Sequence, residues 1–416
     1  MNKMFLIASV MAAGISTQVM AAEKVSCGLN NGKKATGQPI PLGAVVGKTG
    51  PDDFSSSAQA ASAYFKCVNE NGGINGRPVE YTVVDDQWNP EIAAQLASKL
   101  VQDKKVVAMV GSTSFVECGA NAKLYEQAGL MVIAGVGVPR ECFQSKNYVP
   151  MNTGPRLATT MAAIYANKHY KAKKFVCIAP NIPGLGEWAC GGVRAWGSKE
   201  GVVSETILID PGSADASSVI LQASSKNPDA IILSLSKGLL IPMLAAAEQQ
   251  NLGKKIKFLA PASGYNVEVP KAIGPYWKDN FDVSLEFHPL DANTVENKNW
   301  LALMNQYGNK KDQRDTFSQA GYLSARLTTE TLLKLDPAKI SRASVSEALR
   351  KIVDFKSEML CRPFYIGAGK RHNANNFSRV ATSTGTGWAV RSECSAVLDP
   401  ELADVQLDEQ QLNLRR

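Results

Sequence analysis

The chain has 416 residues, 45% of them hydrophobic and 20% charged, with 33 Gly, 20 Pro and eight Cys. That composition excludes a disordered chain, a collagen-like fibre and a small disulfide knot, and the length predicts two to three domains. Lys and Arg outnumber Asp and Glu by 45 to 38, a net charge of +7, but the basic residues form no long run, so no nucleic-acid partner is expected.

Segment 1–22 stands apart. Lys3 precedes an apolar stretch over 4–15, polar Ser16-Thr17-Gln18 follow, and small residues suit cleavage after Ala21 or Ala22. This is the pattern of a secretory signal peptide; the apolar stretch is too short for a ~30 Å hydrocarbon layer, which takes about 20 residues. An exported, periplasmic protein is therefore expected. Cys27, Cys67, Cys118, Cys142, Cys177, Cys190, Cys361 and Cys394 all lie beyond the segment. An even number in an oxidising compartment favours disulfides, although spacing alone leaves the pairing open. No Cys-x-x-Cys pair is present and His169, His288 and His372 stand away from the cysteines, so no metal site is expected. Cys27 follows Lys24-Val25-Ser26 instead of a small apolar box, which argues against a lipid anchor.

Beyond residue 40 the pattern alternates. The apolar run 42–46 reads as a strand, and 55–69 carries Ala58, Ala61, Phe65 and Val68 at helical spacing before stopping at Asn71-Gly72-Gly73. Residues 79–84 alternate as a strand, 90–101 form a helix with Pro90 near its start, and 106–110, 116–128 and 130–134 continue as strand, helix and strand. After Asn152-Thr153-Gly154-Pro155, helices over 157–167, 188–200, 216–225 and 239–251 alternate with strands over 174–178, 203–208, 230–235 and 257–260. A strand at 281–287 and helices over 299–307, 316–335 and 345–351 follow. Short loops between such elements predict an α/β fold of two Rossmann-like lobes with parallel sheets.

In open parallel sheets, ligands bind beyond the carboxyl ends of the strands. The loops Gly111-Ser112-Thr113-Ser114-Phe115 and Ala134-Gly135-Val136-Gly137-Val138-Pro139 occupy that place. Ser114 suits either a ligand carboxylate or the capping of the helix behind it. No Gly-x-Ser-x-Gly, P-loop or His-Glu-x-x-His pattern occurs, and Pro183-Gly184-Leu185-Gly186-Glu187-Trp188 lacks the third glycine of a dinucleotide loop. Asp85-Asp86, at a strand end, reads as a loop cap before it reads as a metal or acid–base pair. No enzyme and no cofactor are expected.

Gly50-Pro51, the run NGGINGRPVEYTVVDDQ at 71–87, Asn89-Pro90 and Val110-Gly111 with Ser114 resemble the periplasmic leucine/isoleucine/valine-binding family, the type I substrate-binding proteins of ABC transporters. Order and spacing hold over 42–139, with a weaker α/β rhythm to about residue 369. The resemblance implies a Venus-flytrap pair of lobes, joined by three crossovers, that closes on a small-molecule ligand and hands it to a membrane permease as a monomer. A sensor module that presents the solute to a receptor is the alternative. The expected crossovers lie near 152–155, 280–286 and 360–363. Lobe one would comprise 23–154 and 286–360, and lobe two 155–285 and 361–398; 399–416 would be a polar extension after the 1–21 leader.

The family's amino-acid pocket carries over in part. The serine that meets the ligand carboxylate falls on Phe115, the carbonyl position on Val136 beside Gly137, and the threonine that meets the ammonium on Val138. Ser236 and Lys237 stand where the family places an aromatic residue, and Ala262 replaces the acid after the proline of FLAPAS. A buried ammonium with no acidic or hydroxyl partner is costly. The expected ligand is therefore an organic, aromatic or otherwise apolar carboxylate ahead of an amino-acid-like solute, met by Lys237 and by the rings of Phe115, Phe54, Trp188 and Tyr265. The same lobe geometry implies that Cys118 pairs with Cys142, Cys361 with Cys394, Cys177 with Cys190 and Cys27 with Cys67.

Overall fold

The computed structural model describes residues 25–413, so the leader expected over 1–22 lies outside the described residues. The first half comprises β1 (Ile40–Val46), α1 (Ser56–Glu70), β2 (Val79–Asp85), α2 (Pro90–Gln102), β3 (Ala108–Val110), α3 (Glu117–Gln127), β4 (Val132–Ala134), α4 (Glu141–Gln144) and β5 (Tyr148–Pro150). Its strands form a parallel sheet in the order β2-β1-β3-β4-β5. β1 is covered on both faces and is buried at all but one position, so it reads as a near-continuous apolar run, whereas β2, at the edge, is fully buried only at Val79. Asn89 caps α2 by accepting from the Ile92 N–H, with Pro90 in the first turn where its missing donor costs nothing.

The second half begins with α5 (Pro155–Tyr170) and continues through β6 (Lys174–Pro180), α6 (Gly186–Glu200), β7 (Val203–Ile209), α7 (Ala216–Ser225), β8 (Ala230–Leu233), α8 (Lys237–Gln249), β9 (Lys257–Ala260), α9 (Val269–Ile273) and β10 (Phe281–Leu285). The chain then returns to the first sheet: α10 (Val295–Tyr307) and α11 (Thr316–Leu333) pack on α1, and α12 (Arg342–Arg350) reaches β3. It ends with β11 (Phe377–Ser383), β12 (Trp388–Val390), β13 (Ser395–Ala396) and α13 (Ala403–Gln411). The second sheet runs β12-β11-β10-β9-β8-β6-β7, with β13 on β11. Its strands β7, β6, β8, β9 and β10 are parallel, as expected, and β11, antiparallel to β10, β12 and β13, adds an antiparallel edge. The link Thr384–Gly387 is a hairpin turn, and so short a connection joins only antiparallel neighbours.

Three crossings join the halves, and they meet. The Thr153 N–H donates to Glu286 Oε2 at 2.5 Å, and Asn375 Nδ2 donates to the carbonyls of Met151 (3.0 Å) and Glu286 (3.3 Å). The third crossing comes later than 360–363. His372 still contacts the first half, donating from Nε2 to Lys146 O at 3.1 Å and from its N–H to Phe143 O at 3.3 Å, and the second sheet is regained only at β11. Gly154 in the first crossing has φ +87°, and a Cβ there would lie 2.3 Å from the Phe143 ring, so only glycine fits.

The extension expected over 399–416 is, over residues 399–412, a packed element. Asp399 and Glu401 hold Arg156 at the start of α5 at 2.7 and 2.8 Å, while Leu402 and Val405 join the apolar cluster of Leu157 and Met161. Glu409 binds Arg362 and accepts from Asn376 Nδ2 at 2.7 Å. The cysteines are bonded as Cys27–Cys67, Cys118–Cys142, Cys177–Cys190 and Cys361–Cys394.

Helices α1 and α11 approach closely at Gly321. A Cβ on Gly321 would lie 1.9 Å from Ser57 O, a backbone atom that cannot rotate away. Gly321→Ala is expected to cost about 1–3 kcal/mol of stability by overpacking, read as a lower urea midpoint at unchanged slope. An unchanged midpoint would show that the two helices separate freely.

Candidate functional site

The carboxyl ends of β3, β4, β6, β8 and β9 converge on a narrow cavity of about 60 Å³ between the two halves. Of the residues marked from sequence, Phe54, Phe115, Val136, Gly137 and Val138 line it from the first half, and Ser236 and Ala262 from the second. Phe115 is held by rings on two sides: Trp88 stacks on it at 4.1 Å and Phe54 meets it edge-on at 4.6 Å, while Phe317 extends the cluster 5.7 Å beyond Phe54. Trp88 and Phe317 were not foreseen. Phe317 opens α11, some 200 residues away from Phe115 in the chain, and no local pattern marks it.

Ser114, Lys237, Trp188 and Tyr265 are placed elsewhere. Ser114 turns inward: its Oγ donates to Asp86 and accepts from the N–H groups of Val116 and Glu117 at 3.0 Å each, so it caps the start of α3. Lys237 Nζ pairs with Glu268 at 2.8 Å. The Trp188 ring packs on Phe143 and its Nε1 donates to Glu401 at 3.2 Å. Tyr265 lies beneath the site, its hydroxyl accepting from the Leu290 N–H at 3.1 Å. Asp85 and Asp86 hold loops: Asp85 accepts from the N–H groups of Lys48 (2.9 Å) and Gln87 (3.0 Å), and Asp86 from Ser114 and the Trp88 N–H.

Most polar side chains in the cavity wall are already paired. Asn152 exchanges two hydrogen bonds with Gly137, Ser263 donates to Leu235 O at 2.8 Å, and Ser234 pairs with Thr159 at 3.0 Å. Ser236 begins α8 but makes no side-chain capping bond, so its hydroxyl remains for a ligand. The other polar group is Glu286, at the end of β10. Burial pushes its carboxyl up to about 7, against hydrogen bonds from Thr153 and Gly154 that favour the ionised form. An acid closing an otherwise apolar strand, Val283-Ser284-Leu285-Glu286, was the available signal for it. Among the described residues, no Lys, Arg or His lines the cavity. Its rim is shut on both sides: the Gly238 N–H donates to Asp52 Oδ2 at 3.1 Å, and the Arg140 N–H to Gly184 O at 2.8 Å.

Two sheets built on parallel strands, facing a shared cavity across three crossings, match the type I arrangement that the sequence resembles, and comparison with known proteins agrees. A family model described as periplasmic binding protein matches residues 39–387. The chain belongs to the periplasmic binding protein family. It is 22% identical over 314 residues to Leu/Ile/Val-binding protein homolog 1 of Brucella suis, covering 73% of this chain and 81% of that one. An amino acid binding protein of Pseudomonas aeruginosa is 28% identical over 95 residues, 21% of this chain, and the chain spans only 25% of its length. Among solved structures, a solute binding protein of an ABC transporter from R. palustris, in complex with 4-hydroxybenzoate, superposes with a TM-score of 0.73 at 19% identity, covering 88% and 100% of the two chains. A fatty acid ABC transporter substrate-binding protein from Thermomonospora curvata gives 0.74 at 21% identity, covering 90% and 96%. Periplasmic binding proteins of this fold are solute binders and not enzymes.

Behind the Phe115 loop lies a second buried acid. Glu117 accepts from Tyr125 and Tyr148 at 2.7 Å each, and desolvation raises its carboxyl to about 7. The folded protein then holds a proton that the unfolded chain releases above about 4.5, so this group's contribution is full below that pH and falls as pH rises to about 7. Glu117→Gln is expected to remove up to about 1.4 kcal/mol per pH unit of slope within that window, measured by urea titration at pH 4.5–8. An unaltered slope would place the proton elsewhere.

Proposed function

We propose that this protein captures an aromatic or otherwise apolar carboxylate in the periplasm and delivers it to the permease of an ABC transporter. The observation that carries this reading is the wall of the cavity: three rings and a set of aliphatic side chains, Ser236 at the start of α8, no acid at Ala262, and an acid at Glu286 whose carboxylate is engaged by the Thr153 N–H and whose burial favours its neutral form over an ion pair with an ammonium. At about 60 Å³ the closed cavity is smaller than a benzene-sized ligand needs, so in this reading the lobes part to admit a flat or extended apolar body among Phe54, Phe115 and Phe317, with its carboxylate received by the Ser236 hydroxyl and the positive end of α8. The 4-hydroxybenzoate in the R. palustris protein supports the same class of ligand. The lobes in this reading are 25–151 with 287–373, and 155–285 with 374–412, so the third segment changes lobe later than the sequence pattern suggests. Opening breaks the Asp52–Gly238 and Arg140–Gly184 contacts while the crossings bend. The leader is removed near Ala21 or Ala22, and one chain acts as a monomer.

A thermal-shift screen of benzoate, 4-hydroxybenzoate, fatty acids, leucine and valine tests the ligand class. The carboxylates are expected to stabilise the protein, by about 2.7 kcal/mol at a hundredfold excess over Kd. Phe115→Ala is expected to weaken them roughly tenfold or more, since its ring supplies apolar contact on one face of the slot. Stabilisation by leucine or valine with none by the carboxylates would overturn the reading.

A further inference from the structure

Glu286 makes an anionic ligand a problem of charge. Its carboxyl is 3% exposed and lines the same small cavity that the ligand enters. The charged groups on the elements around it are engaged elsewhere. Arg156, two residues past the first crossing, is bound to Asp399 and Glu401. Arg379 on β11 donates to Cys394 Sγ and faces Glu393, and His288 faces Arg379 and Glu358. On the strand itself, Asp282 bonds to Tyr170 at the far end. The third crossing offers Asn375, whose amide is bound to two carbonyls, and His372, whose Nε2 is bound to Lys146 O. Two negative charges enclosed together without a counter-ion are strongly disfavoured, so one of them must be neutralised.

We propose that Glu286 is the specificity-determining residue of the site: it takes up a proton when a carboxylate ligand binds, and its new O–H donates into the cavity while the other oxygen keeps the Thr153 N–H. The proton comes from solvent and no other bond changes. The inference rests on the ligand being a carboxylate. It deepens that reading by making the acid at the crossings an anion-accepting group in place of a cation. The raised carboxyl, already near 7 without ligand, places the exchange at neutral pH. Because the same carboxyl joins two crossings, the charge of the ligand is read where the lobes pivot.

Isothermal calorimetry with benzoate at pH 7.5, in phosphate and in Tris, measures the proton count directly. Uptake of roughly 0.5–0.8 proton per ligand is expected, with the apparent Kd rising up to about tenfold per pH unit above 7. Glu286→Gln is expected to bind benzoate without proton uptake and with affinity flat over pH 6.5–8.5. Should that variant fail to fold, benzyl alcohol, the uncharged analogue, serves on the native protein and is expected to bind with no proton uptake and no pH dependence. Benzoate binding with zero uptake overturns this proposal and leaves the ligand class standing. Binding of no carboxylate at all overturns both.

Discussion

The carboxyl of Glu286 receives the Thr153 N–H, and through that bond the first two crossings between the sheets are fixed to each other. Asn375 brings the third crossing to the same point. Everything else about the cleft depends on this junction. It sets which strand ends face each other, leaves the cavity at the meeting place, and puts an ionisable group in its wall. A buried acid is costly, and here the cost is met by two backbone donors and a raised proton affinity instead of by a cation. The result is a site whose floor is both hinge and charge sensor.

The apolar wall follows from a different constraint. Parallel strands covered on both faces must be apolar along their length, and their polar ends must fall in the loops. In β3 and β4 those loops begin with Gly111 and Gly135, and the next side chains inward are Ser112 to Phe115 and Val136. Ser112 to Ser114 turn into the sheet, where Ser112 accepts from the Val45 N–H at 3.2 Å and Ser114 is held by Asp86. The hydroxyls of Ser112 and Ser114 therefore serve the fold, and Phe115 and Val136 are side chains of these loops that line the cavity. The ring stack of Trp88 on Phe115 depends on the same loop, because Trp88 follows the Asp85-Asp86 pair that holds Ser114.

Periodicity and caps made the element order legible in the sequence, since α2, α7 and β9 have the Pro, Asn, Asp and apolar signals that local physics demands. The later strands were not legible for a physical reason. β11, Phe377 to Ser383, is half polar, its hydroxyls bonded to neighbouring carbonyls, so it lacks the apolar alternation of a half-buried strand. The tail read only as a polar extension, yet Asp399 and Glu409 are buried against Arg156 and Arg362. Charge pairing over 243 and 47 residues leaves no local trace. Lys237 illustrates the converse: it stands at the right loop, but the nearby Glu268 claims it.

Two buried titrating groups in the first half pull stability in opposite directions. His372, wedged against Lys146 and Phe143, is held near 4 by desolvation. The unfolded chain binds its proton below about 6.5 while the folded one does not, so its contribution is full above that pH and is lost as pH falls toward 4. Glu117 has the reverse sign, its contribution being full below about 4.5 and fading toward 7. Between about 4.5 and 6.5 the two slopes oppose each other, and the half that carries the Phe115 wall is buffered against acidification over that span. Glu286 differs from both in facing the cavity, so its proton is exchanged with the ligand as well as with folding. The same desolvation that makes each group costly thus yields a steady scaffold behind the site and a responsive group within it.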